Sequence, residues 1–407
     1  MSKDLPNSII SPSFGSSHTG HPTLTMRYLI VAPELGITPT GSIVAGGLQQ
    51  FGRCLVRALA SSPSIDQLGV WSQVDNPEAE PFIRKMLQVY AHDQIGLDVQ
   101  GFGGNRTKLA MAVANANWQR SYDHIMYLLV NQSVLSLLPG HLPYTVWEIG
   151  EELFQPLSFW QYQALHRANS LISISENTSR VAAQINPGVP YCQVVHLCLE
   201  PLLYEPDYAD DPVAKELYTP AQRKPAVLIV GSMYRRILYK GHKELIAGWP
   251  EVVNTCPEAE LWIVGDGDGR EQLEHQARSL PPTVSSRIKF LGRLGNEDLQ
   301  ECYRCCRIFA MPSKGEGFGL VFVEAARYGL PGIGGRHDSV KEIVLDGQTG
   351  LLVEQDPHEI ALACMRLLTD DHLAQQLGDA ARQRYLKHFR FQHFRERLLQ
   401  TMGFKQS

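Results

Sequence analysis

From Arg27 onward the chain alternates short β-rich apolar runs with longer segments whose apolar positions recur at helical spacing. In the first half the runs that read as buried strands are Tyr28–Ala32, Gln67–Ser72, His124–Val130, Tyr144–Trp147 and Ser170–Ile174. Between and after them, Gly47–Ala60, Pro81–Ala91, Lys108–Arg120, Phe159–Arg167 and Asn177–Gln184 read as helices. Prolines at 201, 206, 212, 220 and 225 then break every period, with Asp207, Asp210 and Asp211 beside them, which predicts a linker. The alternation restarts with strands at Ala226–Gly231, Glu260–Val264, Ile288–Leu291, Ile308–Met311 and Gly350–Val353. Helices are predicted at Lys243–Asn254, Glu271–Leu280, Asn296–Cys306 (capped by Asn296) and Gly319–Tyr328, with a helical tail from His358 to about Met402. Ser339 to Glu342 reads as a capping box.

Such alternation is the signature of parallel α/β architecture. The fold predicted is two Rossmann-like doubly wound domains facing across a cleft, with a helical C-terminal tail. Its expected parts are a disordered tail over 1–25, an N-terminal domain over 26–200, a linker over 201–224, a C-terminal domain over 225–385 and a final helix over 386–407 that crosses back toward the first domain.

Bulk properties narrow the function. The 407 residues carry a formal net charge of −5, against an electrostatic nucleic-acid binder. No apolar run is long enough to span a bilayer. The first residues are rich in Ser, Pro, Gly and Thr without an apolar segment, so no secretory signal is read there. The eight cysteines follow no disulfide or zinc spacing and are expected as packed thiols in a reducing compartment. A cytoplasmic protein is expected, with peripheral contact at the membrane face left open. No basic amphipathic helix stands out to mark such a face.

The densest chemistry lies at Glu316-Gly317-Phe318-Gly319-Leu320, followed by Glu324, after the apolar run that ends at Met311. A helix start offers unpaired N–H groups and a partial positive charge to phosphate. Ionised carboxylates accept hydrogen bonds from sugar or ribose hydroxyls. Upstream, Arg235, Arg236 and Lys240 follow the first strand of the second half, where open α/β sheets bind ligands. These cations suit a diphosphate, though alone they read equally as a solvated basic turn. Gly46-Gly47 at a helix start in the first half permits close approach to a ligand, or is a plain helix-entry turn. Asp266 and Asp268 read as turn residues within Gly265–Gly269, and neither a Walker loop nor a nicotinamide fingerprint occurs. Glu148, Glu151 and Glu152 are candidates for acceptor hydroxyls or a plain acidic turn. His124, His141, His196 and His242 share no metal-ligand spacing, and no metal is expected.

Arg235, Lys240, Gly265-Asp266-Gly267, Phe290-Leu291-Gly292, Pro312-Ser313, Glu316 through Glu324, Gly329-Leu330-Pro331, Glu342-Ile343-Val344, Asp346-Gly347 and Thr349 through Val353 occur in one order. The series resembles the C-terminal domain of glycosyltransferase family four (glycosyl transferases group 1), retaining nucleotide-sugar transferases of GT-B fold. In the first half Gly46-Gly47, Gly150–Phe154 and Ala168–Glu176 resemble further family segments, while Trp147-Glu148 stands where the family often has a histidine. The resemblance implies transfer of a hexose from a UDP- or GDP-linked donor to a hydroxyl with retention of configuration, and no required cofactor. It implies Glu316, Lys240 and Arg235 as catalytic residues. Gly46, Gly47, Arg236, Gly317, Phe318, Gly319, Leu320 and Glu324 would bind the donor, Glu324 through the ribose. The basic loop looks longer than usual, so Arg236 can take the place of Arg235. The acceptor, whether carbohydrate, lipid-linked or a small molecule, stays open. The alternatives are a non-catalytic nucleotide-sugar-binding protein of the same fold and a Rossmann oxidoreductase.

Overall fold

The computed structural model describes residues 25–44, 46–150, 152–190, 192–201 and 217–404. The expected N-terminal tail, most of the expected linker and Glu151 lie outside the described residues. In the first half the strands are β1 (Met26–Ala32), β2 (Ile65–Ser72), β3 (Gly96–Gly101), β4 (His124–Tyr127), β5 (Tyr144–Glu148), β6 (Ser170–Ser173) and β7 (Gln193–Val194). The helices are α1 (Gly47–Ala60), α2 (Glu80–Gln88), α3 (Arg106–Gln119), α4 (Val130–Ser133), α5 (Phe159–Arg167) and α6 (Glu176–Ile185).

The second half contributes β8 (Ala226–Val230), β9 (Glu260–Val264), β10 (Ile288–Gly292), β11 (Ile308–Met311), β12 (Gly332–Gly335) and β13 (Gly350–Val353). Its helices are α7 (His242–Thr255), α8 (Arg270–Arg278), α9 (Pro282–Ser285), α10 (Asn296–Cys305) and α11 (Leu320–Arg327). The tail is α12 (Pro357–Thr369), α13 (Asp371–His388) and α14 (Phe391–Thr401).

The strands form two sheets, in the orders β3-β2-β1-β4-β5-β6-β7 and β10-β9-β8-β11-β12-β13. Every pairing within them is parallel. Strand order reverses between β1 and β4 and between β8 and β11, which opens a crevice at the carboxyl ends of those strands. Strands covered on both faces read as continuous apolar runs, as Ala226-Val227-Leu228-Ile229 does, all fully buried. Helix starts follow local chemistry. Ser158 and Gln161 close a capping box on α5, and Asp356 accepts the N–H of His358 and Glu359 ahead of Pro357 on α12.

Two strands appear that the hydrophobic pattern did not predict, and two local expectations are corrected. Gly96–Gly101 and Gly332–Gly335 are strands; the second is fully buried between β11 and β13, its glycines leaving room for Phe322 and Val340. Gly295, not Asn296, caps α10. No capping box forms at Ser339: Asp338 accepts the Val340 N–H, the Ser339 hydroxyl turns to the Glu316 carbonyl, and the Glu342 carboxylate leaves the turn. The chain returns to the first half at its end. There α14 packs on α1, Arg395 Nε donates to Ser61 Oγ at 2.6 Å, and Phe404 meets Tyr28 edge-on.

Candidate active site

β8 and β11 are neighbours in the second sheet, so the loops after them emerge side by side at the switch point. The first carries Lys240 and the second Glu316, and Lys240 Nζ lies 3.0 Å from Glu316 Oε2. Both side chains keep a minor exposure, 16% and 18%, so the pair is open at one edge of the crevice. The Glu316 backbone is held on two sides. Its N–H donates to Asp338 Oδ2 at 3.1 Å, and its carbonyl accepts the Ser339 hydroxyl at 2.6 Å. Burial pushes the Asp338 carboxyl up to about 7, against the N–H bonds from Val340 and Glu316.

Gly319 caps α11 at φ 97°, a left-handed conformation that a side chain would strain, and it turns the chain abruptly into the helix. Leu320 at that helix start faces Gly47 at the start of α1: a Cβ on Gly47 would stand 3.8 Å from Leu320 Cδ1. The start of α11 therefore lies beside Glu316, and its first side chain reaches across to the start of α1 in the other half. Farther along α11, Glu324 accepts the Tyr303 hydroxyl at 2.7 Å. Burial raises the Glu324 carboxyl, opposed by hydrogen bonds from Tyr303 and from Gln50 of α1.

Gly317 and Phe318 serve the contact between the halves. The Gly317 carbonyl accepts Ser175 Oγ at 2.8 Å and Thr178 Oγ1 at 2.9 Å. Phe318 is buried against His196 and Phe389. Close by, the Glu342 carboxylate accepts the N–H of Asn177 at 2.8 Å and of Glu176 at 3.0 Å, capping α6 from the other half. It also pairs with His196 Nε2 at 2.7 Å.

The two arginines lie elsewhere. The Arg235 N–H donates to Asp268 Oδ1 at 2.8 Å and its Nε to the Asp268 carbonyl at 3.2 Å. The Arg236 guanidinium stands 6.0 Å from the centroid of the Tyr234 ring. Both residues are exposed on the outer part of the loop, and no described contact joins either to Glu316. The Asp266 carboxylate accepts the Gly267 N–H within its own turn. Glu152 accepts the N–H groups of Val130 and Asn131, and Glu148 is fully buried, its carboxyl pushed up to about 7 by that burial. Among the described residues no group of three His, Cys, Asp or Glu side chains is placed to hold a metal ion. Asp338, Thr178 and Gln50 escaped the sequence reading because single polar residues carry no motif, while Ser339 was read only as a cap and Ser175 only as part of a family-like segment.

Residues 224–370 match the family described as Glycosyl transferases group 1. That stretch begins just before β8 and ends at the close of α12, so the similarity to this family is confined to the second half. A GDP-mannose-dependent monoacylated alpha-(1-6)-phosphatidylinositol monomannoside mannosyltransferase of Corynebacterium glutamicum is 34% identical over 162 residues, 38% of this chain and 41% of that protein. The phosphatidyl-myo-inositol mannosyltransferase of Mycobacterium tuberculosis is 32% identical over 148 residues, 36% of this chain and 37% of that protein. The match thus spans about two-fifths of the length of these curated relatives. Among solved structures, Anabaena HepE in complex with UDP-glucose is 18% identical with a TM-score of 0.67, over 93% of this chain and 99% of that one. Sucrose-phosphate synthase from Thermosynechococcus elongatus is 19% identical with a TM-score of 0.65, over 93% and 98%. The two halves together make the GT-B fold.

Proposed function

We propose that this protein transfers a hexose from a nucleoside-diphosphate sugar, UDP- or GDP-linked, to a hydroxyl acceptor with retention of anomeric configuration. The observation that carries this reading is the Lys240–Glu316 pair, 3.0 Å apart, beside the start of α11, whose Leu320 reaches the start of α1. Cleavage of a sugar–phosphate bond builds negative charge on the departing diphosphate. A fixed ammonium and helix N-termini stabilise that charge without reorganising. On donor binding Lys240 exchanges part of its contact with Glu316 for a phosphate oxygen. Glu316 is then free to accept from hydroxyls of the transferred sugar, and Glu324 from those of the ribose. Arg235 is the second diphosphate cation, trading its Asp268 contacts for phosphate, and Arg236 on the same loop stands in reserve.

Retention follows if the acceptor attacks the face that the diphosphate leaves, with the departing phosphate oxygen taking the acceptor proton. No protein base is assigned. Contact of Gly317 with Ser175 and Thr178 closes the crevice on that side and limits attack by water. The names of the relatives point to GDP-mannose and inositol lipids as first choices for donor and acceptor.

The test is thermal shift with UDP-glucose, UDP-galactose and GDP-mannose, followed by release of the nucleoside diphosphate. One donor should stabilise the protein and be turned over slowly, and Glu316→Ala should abolish turnover. Stabilisation by a donor with no turnover under any acceptor condition would favour a binding protein instead.

A further inference from the structure

Four large apolar side chains stand out by exposure among the described residues: Trp118 at 81%, Phe159 at 65%, and Met111 and Trp160 at 61% each. The next, Leu362, is 49% exposed, so the four form a class apart. All lie on α3 and α5, and the 3-10 turn at Val134–Leu137 packs against both helices. Helix α3 buries Leu109, Val113 and Ala116 on the sheet. On its other side Lys108, Met111, Asn115 and Trp118 make one exposed stripe at helical spacing. Helix α5 opens with Phe159 and Trp160, whose rings meet edge-on at 5.1 Å.

The charge on this face is one-sided. No Asp or Glu occurs over 99–122, 124–147 or 153–175, while Arg106, Lys108, Arg120 and Arg167 do, in a chain of net charge −5. Of the described bordering carboxylates, Glu148 is buried, Glu176 is exposed at the start of α6, and the other three are engaged. Asp98 accepts from Trp71 and Tyr122, Asp123 pairs with Arg27, and Glu152 accepts from Val130 and Asn131. Exposed indole and phenyl rings on two helices that carry no Asp or Glu, with cations on and beside them, match the headgroup level of an anionic bilayer. The face also reaches the crevice, since the loop leading into α5 begins at Gly150, whose built Cβ would stand 3.2 Å from Gly317 Cα.

We propose that the α3–α5 face docks this protein on an anionic lipid surface. Trp118, Phe159 and Trp160 enter the interface, and Arg106, Lys108, Arg120 and Arg167 meet the headgroups. The docking itself is independent of the transfer reaction. The acceptor class it implies, a membrane-anchored hydroxyl presented at the crevice rim, rests on the transferase reading above.

Co-sedimentation of the full chain with vesicles tests it, using phosphatidylcholine alone and phosphatidylcholine with about 30% phosphatidylglycerol. Binding is expected to the anionic vesicles only, and to fall as salt is raised to about 0.5 M. The double variant Trp118→Ala/Trp160→Ala should lose about tenfold or more in partitioning, with an unchanged circular dichroism spectrum. Lys108→Glu/Arg120→Glu should lose as much by the charge route. Absence of wild-type binding, equal binding to neutral vesicles, or tryptophan variants that bind as wild type would overturn the proposal. So would a wild type that self-associates through this face, becomes monomeric in the tryptophan variant and ignores vesicles. Turnover of a soluble donor without lipid is read separately, so loss of docking and loss of transferase activity are told apart.

Discussion

Ser175 Oγ donates to the Gly317 carbonyl at 2.8 Å, joining the loop after β6 to the residue next to Glu316. The donor-side loop is thus pinned by the opposite half, and the fit leaves no spare room. A Cβ on Gly317 would stand 2.8 Å from the Ile149 carbonyl oxygen. Gly317→Ala should therefore pry the halves apart without unfolding either one. The expected outcome is a loss of about tenfold or more in kcat/KM, consistent with a lost closure contact, and a larger radius of gyration by X-ray scattering. Wild-type activity with an unchanged radius would show that this contact is dispensable.

Glu342 should make the junction acid-sensitive. Burial alone would raise its carboxyl, but the His196 bond and the Asn177 and Glu176 N–H groups outweigh it and hold it below the ordinary 4.5. A depressed carboxyl contributes stability that is present above its unfolded value and is lost as pH falls through the folded one. Glu342→Gln should lower stability near neutral pH by about 1–3 kcal/mol, as for hydrogen bonds to a charged group. It should also flatten the acid limb of a Tm-against-pH curve. An acid limb parallel to wild type would remove Glu342 from this role.

Asp338 has the opposite sign. With its folded value raised from 3.8 to about 7, it contributes a stability penalty that grows as pH rises from the lower value to the higher and is complete above it. Ionisation also places a second negative charge beside Glu316 and the donor diphosphate. The apparent KM for the donor should rise as pH climbs through about 7. Asp338→Asn should remove that inflection, and a profile identical to wild type would contradict the assignment.

Arg235 is expected to act in binding more than in the chemical step, because it must first leave Asp268. Arg235→Ala should raise the donor KM by about tenfold, the worth of one charge-assisted contact at an exposed site, with a smaller change in kcat. If Arg236→Ala shows this effect instead, the two exchange roles.

Much of the fold was legible because buried parallel strands write themselves as apolar runs, as Ala226–Val230 and Ile308–Met311 do. Gly332–Gly335 was not, since a strand of glycines carries no hydrophobic signal, and half-buried Gly96–Gly101 alternates poorly. In the candidate site, Lys240, Glu316 and Glu324 drew attention by residue type and spacing. What pairs with each did not, because Asp338, Tyr303 and Gln50 arrive from distant segments. The outer face of α3 escaped for a different reason. Apolar residues on both sides of that helix, Leu109 and Val113 within and Met111 and Trp118 without, cancel the asymmetry by which an amphipathic helix is recognised.

Lys240 is the residue on which the donor site depends most, so steady-state release of nucleoside diphosphate by Lys240→Ala is the most direct measurement. Loss of one fixed charge facing the leaving group should lower turnover by about 10²–10³, with the circular dichroism spectrum retained. Turnover equal to wild type would contradict the assignment of Lys240 to the diphosphate, and with it the donor site built around the Lys240–Glu316 pair.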